Sequence, residues 1–105
     1  MNYFLGIDIA KTNHVASLIN NNGDVVIRAI KFTNSNEGFS KLLTTIQDKL
    51  NDLSNIEVAM EATGHYWLSV YSYLFELGII RILIAVSLTV TASSARVVFV
   101  SIFPT

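Results

Sequence analysis

Two short apolar runs that each end in a carboxylate place the tightest constraint on this chain: Phe4-Leu5-Gly6-Ile7-Asp8 and Val58-Ala59-Met60-Glu61. A short, nearly continuous apolar run is the mark of a strand buried on both faces of a sheet. Such a strand has no structural use for a charge, because an ion taken out of water must be paired or hydrogen-bonded to be tolerated. Two strands with the same ending point to one shared task, and the economical one is to hold a divalent cation through oxygen.

The rest of the pattern predicts how those strands meet. Tyr3 to Ile9 reads as a central strand, followed after a short turn by a strand over Asn13 to Asn20. Asn20-Asn21-Asn22-Gly23-Asp24 offers residues that tolerate the positive backbone angles of a tight hairpin. Val25 to Phe32 returns, with Val26, Ala29 or Ile30, and Phe32 alternating with polar neighbours. Asn34 is placed to cap a helix and Glu37 to reach back to its start. Phe39, Leu42, Leu43, Ile46, Leu50 and Leu53 then recur at helical steps. Ile56 to Ala62 forms a second buried strand, broken by Thr63-Gly64. Trp67, Val70, Tyr71, Leu74 and Leu77 mark a second helical stripe stopped by Gly78, and Ile79 to Val86 reads as a further strand.

The predicted fold is therefore a mixed α/β sheet: three antiparallel strands, then helix, strand, helix, strand. A strand reached through a helix runs parallel to its neighbour with a right-handed crossover, so the first and fourth strands can lie side by side. Asp8 and Glu61 then meet at the C-terminal edge, where open α/β sheets build their sites.

Composition narrows the function classes. Seven Lys and Arg against eight Asp and Glu leave no basic footprint, so affinity for nucleic acid must be local or supplied by partners. With no cysteine, thiol chemistry is excluded. The first residues lack a secretory or transit pattern, which makes the cytoplasm the expected location. The longest uncharged run, Ile82 to Ala95, is too short for a membrane crossing, which takes about 20 residues. A buried strand or an unpacked, aggregation-prone tail fits it better.

Paired carboxylates on adjacent strands suit Mg²⁺ or Mn²⁺, with water and phosphate oxygens completing the shell. Two such ions, roughly 4 Å apart, support phosphodiester chemistry but ordinarily need more than two carboxylates. After Glu76 the chain has no acidic residue. Gly6 fits beside the pair, since a missing side chain permits close approach. Each carboxylate also has a plainer reading: Asp8 as a turn residue bonding its own backbone, Glu61 as a surface group near a strand exit. His65, Tyr66 and Trp67 offer a stacking cluster at the rim, although their helical spacing favours packing. Lys11 is placed to steer a phosphate or simply to be solvated in the turn. His14 has no partner at metal-ligand spacing and reads as a satisfied structural histidine. Gly6-Ile7-Asp8-Ile9-Ala10-Lys11 also resembles the first phosphate segment of the actin-like ATPases, but Ala10 stands where those carry glycine.

Three segments taken in order, Gly6-Ile7-Asp8-Ile9-Ala10-Lys11, Asn36-Glu37-Gly38-Phe39 and Met60-Glu61-Ala62-Thr63-Gly64-His65-Tyr66-Trp67, resemble the N-terminal domain of the DEDD insertion-sequence transposases, relatives of the Piv and MooV DNA invertases. The resemblance covers residues 1–78. It implies a ribonuclease H-like, RuvC-type domain whose four acidic residues bind Mg²⁺ and act on DNA, with Asp8 the first of them and Glu61 the second. It also implies an Asp-x-x-Asp pair beyond the fifth strand, a C-terminal domain with a reactive serine, and oligomers working with DNA and an element-encoded guide RNA.

Residues 79–105 depart from that pattern, and only Arg81 and Arg96 carry charge there. The expectation is a sheet incomplete at its C-terminus, followed by a divergent apolar tail read out of frame. The matching function is a transposase N-terminal fragment with half an acidic site, inactive alone, acting with DNA, further copies or the full-length enzyme. A small metal-dependent nuclease or resolvase completed by a dimer partner, and an actin-like nucleotide-binding domain, are the alternatives.

Overall fold

The computed structural model describes residues 2–61, 64–79, 81–87 and 97–102. In chain order the elements are β1 (Tyr3–Asp8), β2 (Asn13–Asn20), β3 (Val25–Thr33), α1 (Asn36–Gln47), β4 (Ile56–Glu61), α2 (Trp67–Glu76), β5 (Ile82–Ser87) and β6 (Val97–Ile102). They build one sheet in the order β3-β2-β1-β4-β5-β6. Strands β1 to β3 are antiparallel, β4 runs parallel to β1 and β5 parallel to β4, and β6 returns antiparallel to β5. This is a mixed α/β sheet of three antiparallel strands followed by helix, strand, helix and strand, with β1 near its centre as the pattern predicts.

The hairpin forms where the asparagine cluster stands. The Asn20 carbonyl accepts the Gly23 N–H at 3.0 Å, and Asn20 Oδ1 accepts the N–H groups of Asn22 and Asp24. Gly23 takes φ +85°, which a residue with a Cβ adopts only at a cost. Register shifts in the β2–β3 ladder around Leu18 alter the inward set on β3. Ile27, Ile30 and Phe32 are buried, whereas Ala29 is exposed and Val26 only half-buried. A bulge turns successive side chains out of strict alternation, which is why reading β3 by period two misplaces them.

Helix α1 is capped by Ser35, not Asn34. Ser35 is extended, at φ −157° and ψ 163°, and its hydroxyl accepts the Gly38 N–H at 3.1 Å. Asn34 instead donates its backbone N–H to the Thr12 carbonyl, tying the start of α1 to the turn after β1. Helix α2 ends at Gly78, with φ +89°. The Ile79 N–H reaches the Leu74 carbonyl at 3.1 Å and the Gly78 N–H the Phe75 carbonyl at 3.0 Å, a Schellman closure that satisfies the helix's last carbonyls.

Burial corrects one expectation. Leu5 and Ile7 on β1, Ala16 and Leu18 on β2, Ile56, Val58 and Met60 on β4, and Ile82 and Ile84 on β5 share one core with Phe39, Leu42 and Ile46 of α1 and Val70 and Leu74 of α2. Each large side chain so buried contributes about 1.5–3 kcal/mol. Both helices therefore cover the same face. On the other face Phe4, Gly6 and Asp8 of β1 and Ala59 and Glu61 of β4 are exposed. The central strands are thus buried on one face, and their apolar character on the other lines an open concavity of about 730 Å³ bordered by Phe4, Gly6, Ser17, Ala59 and Leu83. Among the described residues no helix is long and apolar enough to cross a membrane.

Candidate functional site

The ladder sets the positions of the two carboxylates. Tyr3 pairs with Ile56, and the parallel register continues to Ile7 opposite Met60. Asp8 and Glu61 are the next residue on each strand, and both end their strands. Strands in a sheet lie about 4.8 Å apart, and side chains of equivalent parity leave on the same face. The carboxylates therefore emerge side by side on the open face, between Val15 of β2, opposite Asp8, and Ala85 of β5, opposite Glu61.

Both carboxylates are exposed. The ion pair found among the described residues lies four residues before Glu61 on β4, where Glu57 meets Arg81 at 3.3 Å, so Asp8 and Glu61 stand without a basic partner there. Their donor set is two hard oxygen ligands at neighbouring positions, which suits Mg²⁺ or Mn²⁺. Space agrees with this fit: a Cβ built on Gly6 would meet nothing within 4 Å, and its cross-strand neighbours Ser17 and Ala59 are small. Among the described residues there is no cluster of three or more His, Cys, Asp or Glu side chains. The site therefore offers two carboxylates at neighbouring positions.

The other candidates separate. Lys11 lies exposed in the turn after β1, two residues past Ile9, whose side chain is buried. His65 is exposed just before α2, while Tyr66 and Trp67 are half-buried against the core. Trp67 meets the Tyr71 ring edge-on, with centroids 6.1 Å apart. This is the packing role that its helical spacing favours. Ala62 and Thr63, which complete the motif after Glu61, lie outside the described residues.

His14 differs from its expected role. It is fully buried, with its ring centroid 5.2 Å from that of Phe32. Its Nδ1 accepts the Ala10 N–H at 3.1 Å, but Nε2 is buried with no partner among the described residues. The sequence signal for its inward position was present: His14, Ala16 and Leu18 have the same parity on β2, and all three are buried. What spacing did not reveal is the bond to Ala10, because it closes a turn rather than a ladder.

Comparison with known proteins adds the family. A family model described as a transposase, of the DEDD insertion-sequence type, matches residues 5–97 and so runs beyond Gly78. The pilin gene-inverting protein of Moraxella lacunata is 38% identical over 64 residues, covering 61% of this chain and 19% of the relative. The corresponding protein of Moraxella bovis matches with the same identity and coverage. The chain thus spans about one fifth of the length of these curated relatives. Among solved structures, an exopolyphosphatase from Cytophaga hutchinsonii superposes with a TM-score of 0.42 at 11% identity, over 81% of this chain and 34% of that one.

Proposed function

The chain belongs to the DEDD transposase family, and on that premise we propose that it forms the N-terminal part of a DNA-rearranging catalytic domain, with Asp8 and Glu61 as ligands for Mg²⁺. The observation that carries this reading is the parallel register of Ile7 with Met60, which sets the two following carboxylates side by side on the open face. DNA is the substrate it implies, in the cytoplasm, with further copies, a full-length transposase or a guide RNA as partners.

A divalent ion bound there would polarise phosphate oxygens and stabilise charge developing during strand cleavage. The chain's own residues hold and orient. Asp8 and Glu61 present hard oxygen ligands from two rigid strands, and Gly6, Ser17 and Ala59 keep the adjacent surface low. Two carboxylates leave most of the ion's shell to water, so binding is weak and the chain alone turns over DNA poorly.

Mn²⁺ titration followed by paramagnetic broadening of amide signals tests the site. Broadening centred on residues 7–9 and 60–61, lost in Asp8→Asn, supports it. Broadening elsewhere, or none at millimolar metal, removes it. Robust Mg²⁺-dependent cleavage of DNA by this chain, abolished by Asp8→Ala, would show that the two carboxylates suffice. Calorimetric binding of ATP would instead favour the actin-like reading.

A further inference from the structure

We propose that His14 is a positioning residue for Asp8, acting through the backbone that leaves β1. This inference deepens the metal-site reading and rests on it. Three observations carry it.

The β1–β2 ladder ends with Asp8 opposite Val15, so the turn that follows receives no further strand pairing. The turn is instead fastened at two points. His14 Nδ1 accepts the Ala10 N–H at 3.1 Å, and the Thr12 carbonyl accepts the Asn34 N–H at 3.0 Å. The first clamp lies two residues past Asp8 and restrains its exit from the strand.

The bond also fixes the imidazole tautomer. A ring nitrogen that accepts carries no proton, so the neutral ring places its hydrogen on Nε2. That nitrogen is buried and has no partner among the described residues. A leucine or phenylalanine beside Phe32 would fill the same space without burying an unpaired donor. Packing alone therefore does not account for histidine, and the acceptor at Nδ1 does.

The ring is itself held. His14, Phe32, Phe39 and Tyr73 form a continuous aromatic path from β2 through β3 and α1 to α2, with successive centroids 5.2, 6.4 and 5.2 Å apart. An acceptor mounted on so rigid a support fixes the Ala10 N–H better than a solvated turn would. Partners that orient a ligand-bearing segment typically alter metal affinity when removed.

The test compares His14→Asn, whose Oδ1 stands near the place of Nδ1, with His14→Gln, whose oxygen falls near Nε2, and with His14→Leu, which has no acceptor. In the metal-free chain, NMR reads Ala10 amide exchange and the Asp8 side-chain couplings; Mn²⁺ affinity is then read by relaxation enhancement. The Leu and Gln variants should accelerate Ala10 exchange relative to β3 amides, average the Asp8 couplings and weaken Mn²⁺ binding about tenfold, with Asn restoring all three. Should the Leu variant not fold, the Asn and Gln pair decides alone. Unchanged Asp8 couplings in Gln, or accelerated Ala10 exchange with Mn²⁺ affinity intact, overturns the proposal. If the unaltered chain takes up no Mn²⁺, the metal reading falls, and the Asp8 couplings still decide whether His14 orients that side chain.

Discussion

Ile7 lies opposite Met60 in parallel register, and that pairing determines where the two residues after them go. A slip of one residue between β1 and β4 would send one carboxylate into the core and leave the other on the open face, since side chains alternate with period two. The buried set Leu5, Ile7, Val58 and Met60 holds the register against such a slip. The core thus positions the site without touching it.

Two like charges on neighbouring strands repel, so the pair should lower the stability of the metal-free fold. Neutralising one, by Glu61→Gln or Asp8→Asn, is expected to raise unfolding free energy by about 0.2–1 kcal/mol at low salt, with the gain shrinking as ionic strength rises. Urea unfolding at several salt concentrations measures it. The same variants should lose Mn²⁺-dependent stabilisation. If Asp8→Asn destabilises instead, Asp8 serves the turn and not a ligand.

Most of the architecture could be read from residue patterns. The apolar runs, the asparagine hairpin and Gly78 marked elements that the structure contains, because each follows from local chemistry. The cap was misread: Asn34 and Ser35 are both good caps, and the choice between them rests on the Asn34 N–H bonding to Thr12, a contact distant in sequence. The open face was also misread, since an apolar run does not say how many layers cover it. Of the candidate site, the pairing of Asp8 with Glu61 was legible through the crossover rule. The clamp from His14 to Ala10 was not, because turn backbone bonds leave no periodicity.

Two glycines should respond in opposite ways to the same change. A Cβ on Gly38 would fall inside contact distance of the Thr33 carbonyl oxygen and 2.6 Å from both Thr33 N and Thr33 Oγ1. Backbone is the main obstacle, so little can yield, and Gly38→Ala should cost about 3 kcal/mol and disturb the Ser35 cap. Gly6 has open space at its Cβ position, and Gly6→Ala should be neutral or stabilise by about 0.5 kcal/mol. Paired urea curves check both.

Asp52 provides a pH marker in the loop before β4. The Ser54 N–H donates to its Oδ1 at 2.9 Å and the Ser54 hydroxyl to its Oδ2 at 2.8 Å. These bonds, the backbone one first, hold the carboxyl below the ordinary aspartate range, against a smaller upward push from burial. A group whose pKa is lowered on folding stabilises the fold above its unfolded pKa, and that contribution disappears as pH falls through the folded value. The loop should therefore loosen only in acid. Carboxyl ¹³C titration is expected to place Asp52 below a reference peptide, and Ser54→Ala to return it part of the way, since the backbone donor remains.

Gly78 tests a different requirement, conformation without crowding. Among the described residues nothing lies within 4 Å of a Cβ built there, yet φ is +89°, so Gly78→Ala meets no described neighbour and still pays for a left-handed backbone. The Schellman bonds from Ile79 to Leu74 and from Gly78 to Phe75 depend on that backbone, and Ile79 is buried beside the core it helps to close. Alanine should cost about 1–2 kcal/mol and asparagine clearly less, because asparagine tolerates the left-handed region. Since β5 follows directly, amide exchange in Ile82 to Ala85 should accelerate in Gly78→Ala while that of β2 and β3 changes little. Equal acceleration throughout the sheet would mean that β5 is not a separately opening unit and that the helix stop supports the whole fold.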